Sequence, residues 1–387
     1  MHLTILHAAQ PVEGGVARVV VDLVRGQRAA GHRVLVACPP GGRLGPEAAA
    51  AGAELLDWPA GRSPGPSTAG EALRLRRIVR AAAPDVLHLH SAKAGLAGRL
   101  AVHGTVPTVF QPHAWSFAAV EGRLAAAGVR WERFAARWAG ALLCVSEQER
   151  VDGVSAGVDA AWQVVPNGVD LVRHGPAGAG ERRAARAALL PAAPGLDPDA
   201  PLAVCLGRLC RQKGQDVLLD AWPQVARAVP GAGLVLVGGG PDAAALAARA
   251  RGLSRVHLAG DVADPRPWLA AADLVVLPSR WEGMALAPLE AMAAARPVLL
   301  TDVPGARECL PAGQLPVPPG DPVALAERLA GSLADPAACA RRGELARAHV
   351  ARRHDVRTVV AQVEAVYRAL LPAGSAGRSD SRVPQGV

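Results

Sequence analysis

Residues 3–38 read LTILHAAQPVEGGVARVVVDLVRGQRAAGHRVLVAC, and this stretch decides the fold class. It holds two short apolar segments, residues 3–8 and 33–38, on either side of a segment with helical spacing, residues 17–30. Turn residues, including a Gly-Gly pair, separate the three segments. Short apolar strands that alternate with amphipathic helices are typical of parallel α/β layers. The stretch therefore predicts a β-α-β unit at the start of the chain.

The same alternation returns in the second half of the chain and predicts a second domain of the same class. Its apolar segments are residues 202–206, 234–237, 256–259, 274–277 and 297–301. Residues 173–200 between the two series are rich in Ala, Gly, Pro and Arg, which is typical of a domain boundary, with one helix predicted at 181–189. We therefore predict Rossmann-like domains at 1–172 and 201–355, a linker at 173–200, a last helix at 356–370 and a disordered tail at 372–387.

Composition excludes several classes of protein. The chain has 387 residues and a net charge of +8, but it lacks the clustered basic and aromatic residues of a nucleic-acid binder. Its six cysteines have no spacing typical of a zinc site or a disulfide framework, so reduced core thiols are expected. No apolar run approaches the ~18 residues of a membrane span. These features predict a soluble cytoplasmic protein that does not bind nucleic acid.

In an open parallel sheet, ligands bind outside the carboxyl ends of the strands, and two such loops carry suitable residues. Gly14 and Gly15 follow the first strand and open a helix, where backbone N–H groups can face an anion. Arg208 and Lys213 follow the strand at 202–206. Only two of the 42 cationic residues are lysines, so Lys213 is unusual, and two fixed cations at a strand exit suit a diphosphate.

A third loop carries two carboxylates with seven residues between them. Glu282 and Glu290 follow the strand at 274–277, and a helix is predicted to begin near Leu286. Free N–H groups at that helix start can hold a phosphate, with Glu290 one turn inside the helix and Glu282 in the loop before it.

Taken together, these motifs resemble the retaining nucleotide-sugar glycosyltransferases of family 4. The resemblance covers nearly the whole chain and is carried by Gly14-Gly15, Pro166-Asn167-Gly168-Val169-Asp170, Gly207-Arg208 with Lys213-Gly214, and Glu282 to Glu290 as the E-x(7)-E motif. It implies the GT-B fold, in which two doubly wound domains face a central cleft and the last helix packs back on the first domain.

The resemblance also implies roles for single residues. Arg208 and Lys213 would bind the donor diphosphate, Glu282 the donor sugar and Glu290 the ribose. His113 matches the family's histidine near the sugar. The remaining donor contacts implied are Gly14, Gly15, Val262, Gly283, Met284, Ala285, Leu286 and Ala287. Ala285 stands where the family often has Gly, which predicts a tighter phosphate loop.

Other residues of the first domain are weaker candidates. His90 and Lys93 are expected to contact the acceptor, whereas the pair His88-x-His90 has no third ligand nearby in the sequence, so no metal and no cofactor are expected. Trp131, Phe134 and Trp138 recur at helical spacing between arginines. Core packing is the favoured interpretation of this stripe, and weak peripheral contact with the inner face of a membrane is the alternative.

The sequence thus predicts a retaining hexosyltransferase. Its donor would be a nucleotide sugar, with UDP preferred, and its acceptor a hydroxyl of a polysaccharide, a lipid-linked sugar or a small molecule. Three alternatives stay open. One is a sugar-nucleotide epimerase of the same fold. Another is a nicotinamide-dependent oxidoreductase, because residues 238–243 fit G-x-G-x-x-A. The third is a sugar-nucleotide-binding protein without catalysis.

Overall fold

Two parallel β-sheets, one in each half of the chain, form the centre of the computed structural model, which describes residues 2–371. The first sheet has the strand order β3-β2-β1-β4-β5-β6-β7. Its strands are β1 (Thr4–Ala9), β2 (Arg33–Cys38), β3 (Glu54–Asp57), β4 (Val86–His90), β5 (Thr108–Gln111), β6 (Ala141–Cys144) and β7 (Trp162–Val164). β1, β2 and β4 are almost wholly buried, as expected for strands covered by helices on both faces.

Helices follow these strands on both faces of the sheet. They are α1 (Gly14–Ala29), α2 (Leu44–Ala50), α3 (Thr68–Ala82), α4 (Ser91–Val102), α5 (Gly122–Ala135) and α6 (Glu147–Ser155). The chain order reverses between β1 and β4, which lie side by side in parallel. This reversal opens a crevice at the carboxyl ends of the strands.

The second half repeats this plan with the strand order β10-β9-β8-β11-β12. Helix α7 (Ala179–Leu189) precedes the sheet. The elements then follow as β8 (Leu202–Leu206), α8 (Gln215–Ala228), β9 (Gly233–Val237), α9 (Ala243–Ala250), β10 (Val256–Gly260), α10 (Arg266–Ala271), β11 (Leu274–Leu277), α11 (Leu286–Ala293), β12 (Val298–Leu300), α12 (Ala306–Cys309), α13 (Pro322–Leu333), α14 (Pro336–Arg353) and α15 (Val356–Leu370). The order reverses again between β8 and β11.

Local sequence explains where the last helices begin. Asp321 and Asp335 each precede a proline, and each side chain accepts hydrogen bonds from backbone N–H groups of the first turn. Asp355 accepts one from Arg357 N–H at the start of α15. An aspartate before the first turn satisfies N–H groups that have no partner inside the helix, and proline at the first position has no N–H to satisfy.

The chain crosses between the domains at two adjacent places. Val169 N–H donates to His354 O at 2.8 Å, and Val356 N–H donates to Val169 O at 3.1 Å. Beyond the second crossing, α15 packs on the first domain against α1, where Gly26 lies so close to Val360 that a Cβ would fall 2.7 Å from it. Tyr367 of α15 is fully buried there.

The predicted fold of two doubly wound domains is confirmed, and several boundaries match to the residue, among them β8 and α15. The segment predicted as a linker contains α7, which packs against α10 of the second domain. Arg186 of α7 is buried, donates to Ala271 O and pairs with Asp273 at 2.6 Å. Within residues 2–371, no helix is both long enough and apolar enough to cross a bilayer. The predicted disordered tail, 372–387, lies outside the described residues.

Candidate active site between the two domains

The carboxyl ends of both sheets face a cleft of about 880 Å³. Its walls include thirteen residues singled out in the sequence: Gly14, Gly15, His113, Arg208, Lys213, Val262, Glu282, Gly283, Met284, Ala285, Leu286, Ala287 and Glu290. The two domains come close there, since a Cβ on Gly15 would lie 3.9 Å from Leu286 across the cleft. The structure therefore brings the predicted donor residues together.

The loop after β8 presents two cations to the cleft. Lys213 Nζ lies 2.5 Å from Glu282 Oε1, and Ser279 donates to the same oxygen at 2.8 Å. Arg208 forms no ion pair within the described residues. Gly214 fixes the loop, because it has φ +66° and a Cβ there would fall 2.0 Å from Pro278 O. One cation is thus held by a carboxylate and the other is left free to meet an anion.

Two glycines of the stretch that fits G-x-G-x-x-A support this loop from behind. A Cβ on Gly238 would lie 2.1 Å from Gly207 O, and one on Gly240 would lie 2.2 Å from Leu209 O. Both glycines have positive φ. They are therefore needed for close packing against the Arg208 loop, and this accounts for them without a dinucleotide.

Helix α11 points its N-terminus into the cleft. Ala285 precedes the helix with φ −70° and ψ 142°, an extended conformation that alanine adopts without strain, so Ala285 does not distort the loop. Among residues 2–371, no side chain caps the helix, which leaves its first N–H groups available to a phosphate. Asn167 of the first domain donates to Met284 O at 2.7 Å and helps to hold the loop in place.

Glu290 lies one turn inside α11, in a largely buried position. Burial raises the pKa of its carboxyl group, and the nearby Arg18 acts in the opposite direction. His174 Nε2 lies 3.8 Å from Glu290 Oε1, and burial lowers the pKa of His174 to about 4. A neutral imidazole therefore lies beside this carboxyl group, which suits a hydrogen bond to a sugar hydroxyl.

His113 lies on the first-domain wall in a strained turn. His113 has φ +57° and Ala114 has φ +104°, values that residues with a side chain rarely adopt. The buried Glu149 holds the turn by accepting hydrogen bonds from Ala114 N–H at 2.6 Å and Val145 N–H at 2.7 Å. Burial lowers the pKa of His113 to about 3. His113 therefore faces the cleft as a neutral ring.

Gly283 brings the second domain against that turn. A Cβ on Gly283 would lie 2.9 Å from Ala114 N and 3.1 Å from His113 C. Backbone atoms cannot yield as a flexible side chain can, so only glycine fits between the domains at this position.

The cleft also holds arginines that the sequence analysis missed. Arg18 lies on α1, three residues after Gly15, and this helical spacing could have indicated its position. Arg43 reaches across the cleft to donate to Val262 O at 3.1 Å and to Ala263 O at 3.2 Å. Arg62 lies opposite Arg208, and partial burial and that neighbour lower its pKa. Arg62 lies in a Gly/Pro/Ser-rich loop without a pattern that marks it.

The two residues predicted to contact the acceptor lie behind the cleft wall. Lys93 is buried and pairs with Glu71 at 2.5 Å, and its ammonium group also donates to Ser63 O and Thr68 Oγ1. His90 is fully buried and contacts the site only through His113. Helix α4 and strand β4 direct both side chains into the domain, and the acceptor contact of His90 and Lys93 stays a prediction.

A third histidine does lie near His88 and His90, contrary to the sequence-based expectation. His7 pairs with His88 in the register of β1 and β4, and the three buried rings offer nitrogens within 4.8 Å of one another. The chain separation of 81 residues hides this neighbour in the sequence. Most of these nitrogens already have partners, since His7 bonds to His90 and Gln27, and His88 bonds to Tyr367.

Comparisons with known proteins agree with this arrangement. The family model described as "Glycosyltransferase Family 4" matches residues 13–173, and "Glycosyl transferases group 1" matches residues 200–335. A GDP-mannose-dependent phosphatidylinositol monomannoside mannosyltransferase of Corynebacterium glutamicum is 36% identical over 50% of this chain and 52% of its own length. A glycogen synthase of Mycobacterium tuberculosis is 29% identical over 92% of both chains. The match thus spans about half the length of the first of these relatives.

Solved structures show the same fold. Anabaena Alr3699/HepE in complex with UDP and glucose superimposes with a TM-score of 0.82 and 22% identity, over 95% of this chain and all of that one. WaaG, described as a glycosyltransferase involved in lipopolysaccharide biosynthesis, gives 0.73 and 19% identity over 94% and 99% of the two chains. At these identities the likeness establishes the two-domain fold.

Proposed function

The chain belongs to the group 1 glycosyltransferases of family 4, and on that basis we propose that it transfers a hexosyl group from a nucleoside diphosphate sugar to a hydroxyl group. One observation carries this proposal. Arg208, Lys213 and the open N-terminus of α11 converge on one cleft beside Glu282 and Glu290. This set offers positive charge for a diphosphate and carboxylates for sugar hydroxyls in the same space.

In the proposed reaction, the bond between the anomeric carbon and the diphosphate oxygen breaks, and the nucleoside diphosphate leaves with the electron pair. The acceptor oxygen bonds to the anomeric carbon on the same face, and its proton passes to the departing phosphate. Negative charge grows on the diphosphate as the bond breaks, so Arg208 and Lys213 stabilise the transition state more than the bound donor. Glu282 orients Lys213 and the donor sugar, and His113 binds the sugar as a neutral ring.

We propose a UDP-sugar as the donor, in line with the UDP-glucose named for Anabaena HepE, whereas the Corynebacterium relative is named as GDP-mannose-dependent. Val262 and its neighbours line the end of the cleft that would receive the base. A screen of UDP-, GDP- and ADP-sugars for thermal stabilisation tests this choice. A donor at 100 times its dissociation constant adds about 2.7 kcal/mol of stability. A preference for GDP-sugars would overturn the choice of base and leave the transfer reaction intact.

The transfer is proposed to retain configuration and to need no divalent metal. Cations and helix N–H groups supply the positive field that a metal ion gives in other transferases. Enzyme treated with EDTA should keep its rate, and NMR of fresh product should show the donor's anomeric configuration. Loss of activity that added metal restores would contradict the first claim, and an inverted product the second.

Measurements of donor turnover, nicotinamide absorbance and donor binding distinguish the competing activities. An epimerase would convert the donor without an acceptor, an oxidoreductase would change nicotinamide absorbance, and a binding protein would be stabilised by donor but leave it unchanged. Turnover of donor that depends on an added hydroxyl acceptor, whether a polysaccharide, a lipid-linked sugar or a small molecule, is the result expected here.

Helix α5 supports weak peripheral membrane contact as part of this proposal. Leu124 and Phe134 are exposed apolar residues on this arginine-bearing helix, while its buried Glu132 pairs with the buried Arg99. Sedimentation with vesicles containing anionic lipid should pull down the protein, and Leu124→Ser/Phe134→Ser should reduce the bound fraction. Equal sedimentation of both proteins would remove the membrane from the proposal.

A further inference from the structure

Four imidazole rings form a buried group behind the cleft wall. His7 lies on β1, His88 and His90 lie on β4, and His113 follows β5 at the edge of the cleft. Burial lowers the pKa of His7 to about 4 and of His113 to about 3, and it lowers the other two well below the usual value. All four rings are therefore neutral near pH 7. Each ring carries one N–H and one lone pair, so each can donate once and accept once.

The direction of the hydrogen bonds is set at the end far from the cleft. Gln27 lies at that end between Tyr367 and His7, with its Nε2 3.4 Å from the Tyr367 hydroxyl oxygen and its Oε1 2.8 Å from His7 Nε2. An amide Nε2 can only donate, so the Tyr367 oxygen accepts from Gln27. The Tyr367 hydroxyl then donates its own proton to His88 Nδ1, which lies 2.6 Å away.

The orientation of Gln27 also fixes the position of the proton on His7. The other end of the Gln27 amide, Oε1, can only accept a hydrogen bond, and it faces His7 Nε2. His7 must carry its proton on Nε2 to donate to that oxygen, which leaves His7 Nδ1 as an acceptor.

The last two bonds lead to the cleft. His90 Nε2 lies 2.9 Å from His7 Nδ1, and His113 Nε2 lies 3.0 Å from His90 Nδ1. Each contact is satisfied when Nε2–H of one ring donates to Nδ1 of the ring before it. We propose that this one-way chain fixes His113 as the Nε2–H tautomer, so that its Nδ1 offers only a lone pair to the substrate. Gln27, His7 and His90 are thus positioning residues, and His113 alone touches substrate.

This inference rests on the proposed function and narrows its donor class. An acceptor-only nitrogen favours a sugar that places a hydroxyl or amide N–H against His113, and it disfavours a sugar with a carboxylate, an ether oxygen or a fluorine there. This preference among sugars follows because neither a carboxylate nor a fluorine can donate a hydrogen bond to the lone pair of His113 Nδ1. The site is therefore selective for neutral hydroxylated hexoses over uronic acids at that contact.

The first test reads the tautomers directly in the whole unliganded protein. Two-dimensional 1H–15N NMR of protein labelled at histidine distinguishes Nε2–H from Nδ1–H rings, and the spectrum of His113→Gln assigns the His113 signals by difference. The expected result is Nε2–H at His113, with Nδ1 unprotonated. A His113 ring with Nδ1–H, a mixture of tautomers, or histidine signals that change on removal of bound zinc would overturn the proposal. None of these results depends on turnover, so the proposed function is judged separately.

The second test uses donors in which one sugar hydroxyl is replaced by hydrogen or by fluorine. The hydroxyl that meets His113 is the one whose removal costs affinity in the native protein but not in His113→Ala. At that position both analogues should lose on the order of 10-fold in affinity, and the fluoro analogue should bind no tighter than the deoxy one. A fluoro analogue that binds more tightly than the deoxy analogue would mean that His113 donates, and it would overturn the proposal.

Gln27→Met removes the acceptor that orients His7 while it nearly preserves side-chain volume. His113 should then populate both tautomers, and the fluoro analogue should gain affinity relative to the deoxy one. His32→Asn is the matched control, because His32 is equally buried in the same domain but lies outside the chain and bonds to Leu3 N–H. The His32→Asn variant should lower the stability of the fold. It should leave unchanged the His113 tautomer and the ratio of the affinities for the fluoro and deoxy analogues. If Gln27→Met does not fold, the measurements on the native protein still decide the question.

Discussion

Lys93 in the first domain and Lys213 in the second are the only lysines of the chain, and both pair with a glutamate at 2.5 Å. Their surroundings differ. The side chains of Lys93 and Glu71 are 2% and 6% exposed, whereas those of Lys213 and Glu282 are 21% and 11% exposed and line the cleft. A rare residue in a sequence thus indicates a constraint, but burial decides whether that constraint is structural or chemical.

The hydrogen bonds of the two ammonium groups explain the difference. Lys93 donates to Ser63 O and Thr68 Oγ1 besides its ion pair, so all three of its N–H bonds are used inside the protein. Lys213 has Glu282 as its hydrogen-bond acceptor among the described residues and keeps donors for a ligand. The first lysine holds the loop at 61–68 to α3 and α4, and the second is free to act on a substrate.

Removal of Lys93 should have the largest effect in this comparison, and it should be an effect on folding. Lys93→Met leaves the Glu71 carboxylate buried without its cation, which costs about 4 kcal/mol of unfolding free energy. Urea denaturation measures this loss. The double variant Lys93→Met/Glu71→Gln should recover much of it and keep most of the turnover. A large rise in the acceptor KM of a folded variant would instead return Lys93 to the acceptor site.

Removal of Lys213 should give the reverse result. Lys213→Ala or Arg208→Ala should lower kcat on the order of 100-fold, because the charge on the leaving diphosphate loses a fixed cation. Thermal unfolding should change little. Arg211→Ala is the matched control on the same loop, since Arg211 lies over Trp281 rather than in the cleft. Near-normal kcat in Lys213→Ala would remove that residue from the mechanism.

The neutral histidines of the first-domain wall predict loss of stability in acid. The unfolded chain protonates His7 near pH 6.5, but the folded protein resists protonation until about pH 4, so unfolding becomes more favourable as the pH falls between these values. Between pH 7 and pH 5 His7 alone costs about 2 kcal/mol, and its three buried neighbours act in the same direction. Urea denaturation at the two pH values checks the slope, and equal stability at both would contradict it.

The carboxyl group of Glu149 changes the stability with pH in the opposite direction to the histidines, so its removal should make the loss of stability in acid steeper. Burial raises the pKa of its carboxyl group to about 7, so the folded protein keeps a proton that the unfolded chain loses above about pH 4.5. Its contribution to stability therefore falls as the pH rises from about 4.5 to 7. Glu149→Gln removes this term, and the variant should lose stability more steeply between pH 7 and pH 5 than the native protein.

Gly283→Ala tests the contact between the two domains at the cleft and should have the smallest effect. The added methyl group meets the backbone of His113 and Ala114, so the domains must separate slightly, and kcat should fall on the order of 10-fold through misplacement of the reacting groups. Gly252→Ala is the control, because a Cβ there meets open space. Small-angle scattering with donor bound should show a larger radius of gyration for Gly283→Ala. A fully active variant would show that the domains need not approach this closely.

Features set by neighbours in the chain could be predicted from the sequence. The bounds of β8 and α15 and the start of α11 at Leu286 follow from apolar periodicity and from residues that begin helices. The second-domain site could also be predicted, because Arg208, Lys213, Glu282 and Glu290 lie just after strands of one sheet. Topology carries such residues to one edge whatever the details of packing.

Features set by strand pairing could not be predicted. The contact between His7 and His90 exists only because β1 lies beside β4, and the sequence does not state that order. The same limit applies to Lys93, whose partner Glu71 lies on another helix, and to Arg62, whose loop has no pattern. The first-domain wall depends on such long-range contacts, which is why the burial of Lys93 and His90 could not be predicted and Arg62 was missed.

The two chain crossings between the domains lie side by side, which is the arrangement of a hinge. Val169 and the segment around Asp355 are bonded side by side, so the domains can rotate about this pair but resist sliding apart. In a rotation, each group moves in proportion to its distance from the axis. Glu290 shares a small cavity with Gly168 and Asp170 at the crossing, so it sweeps a short arc. If Glu290 binds the ribose, as the family resemblance implies, that end of a donor would act as the pivot, while the loops at the open mouth would travel farthest.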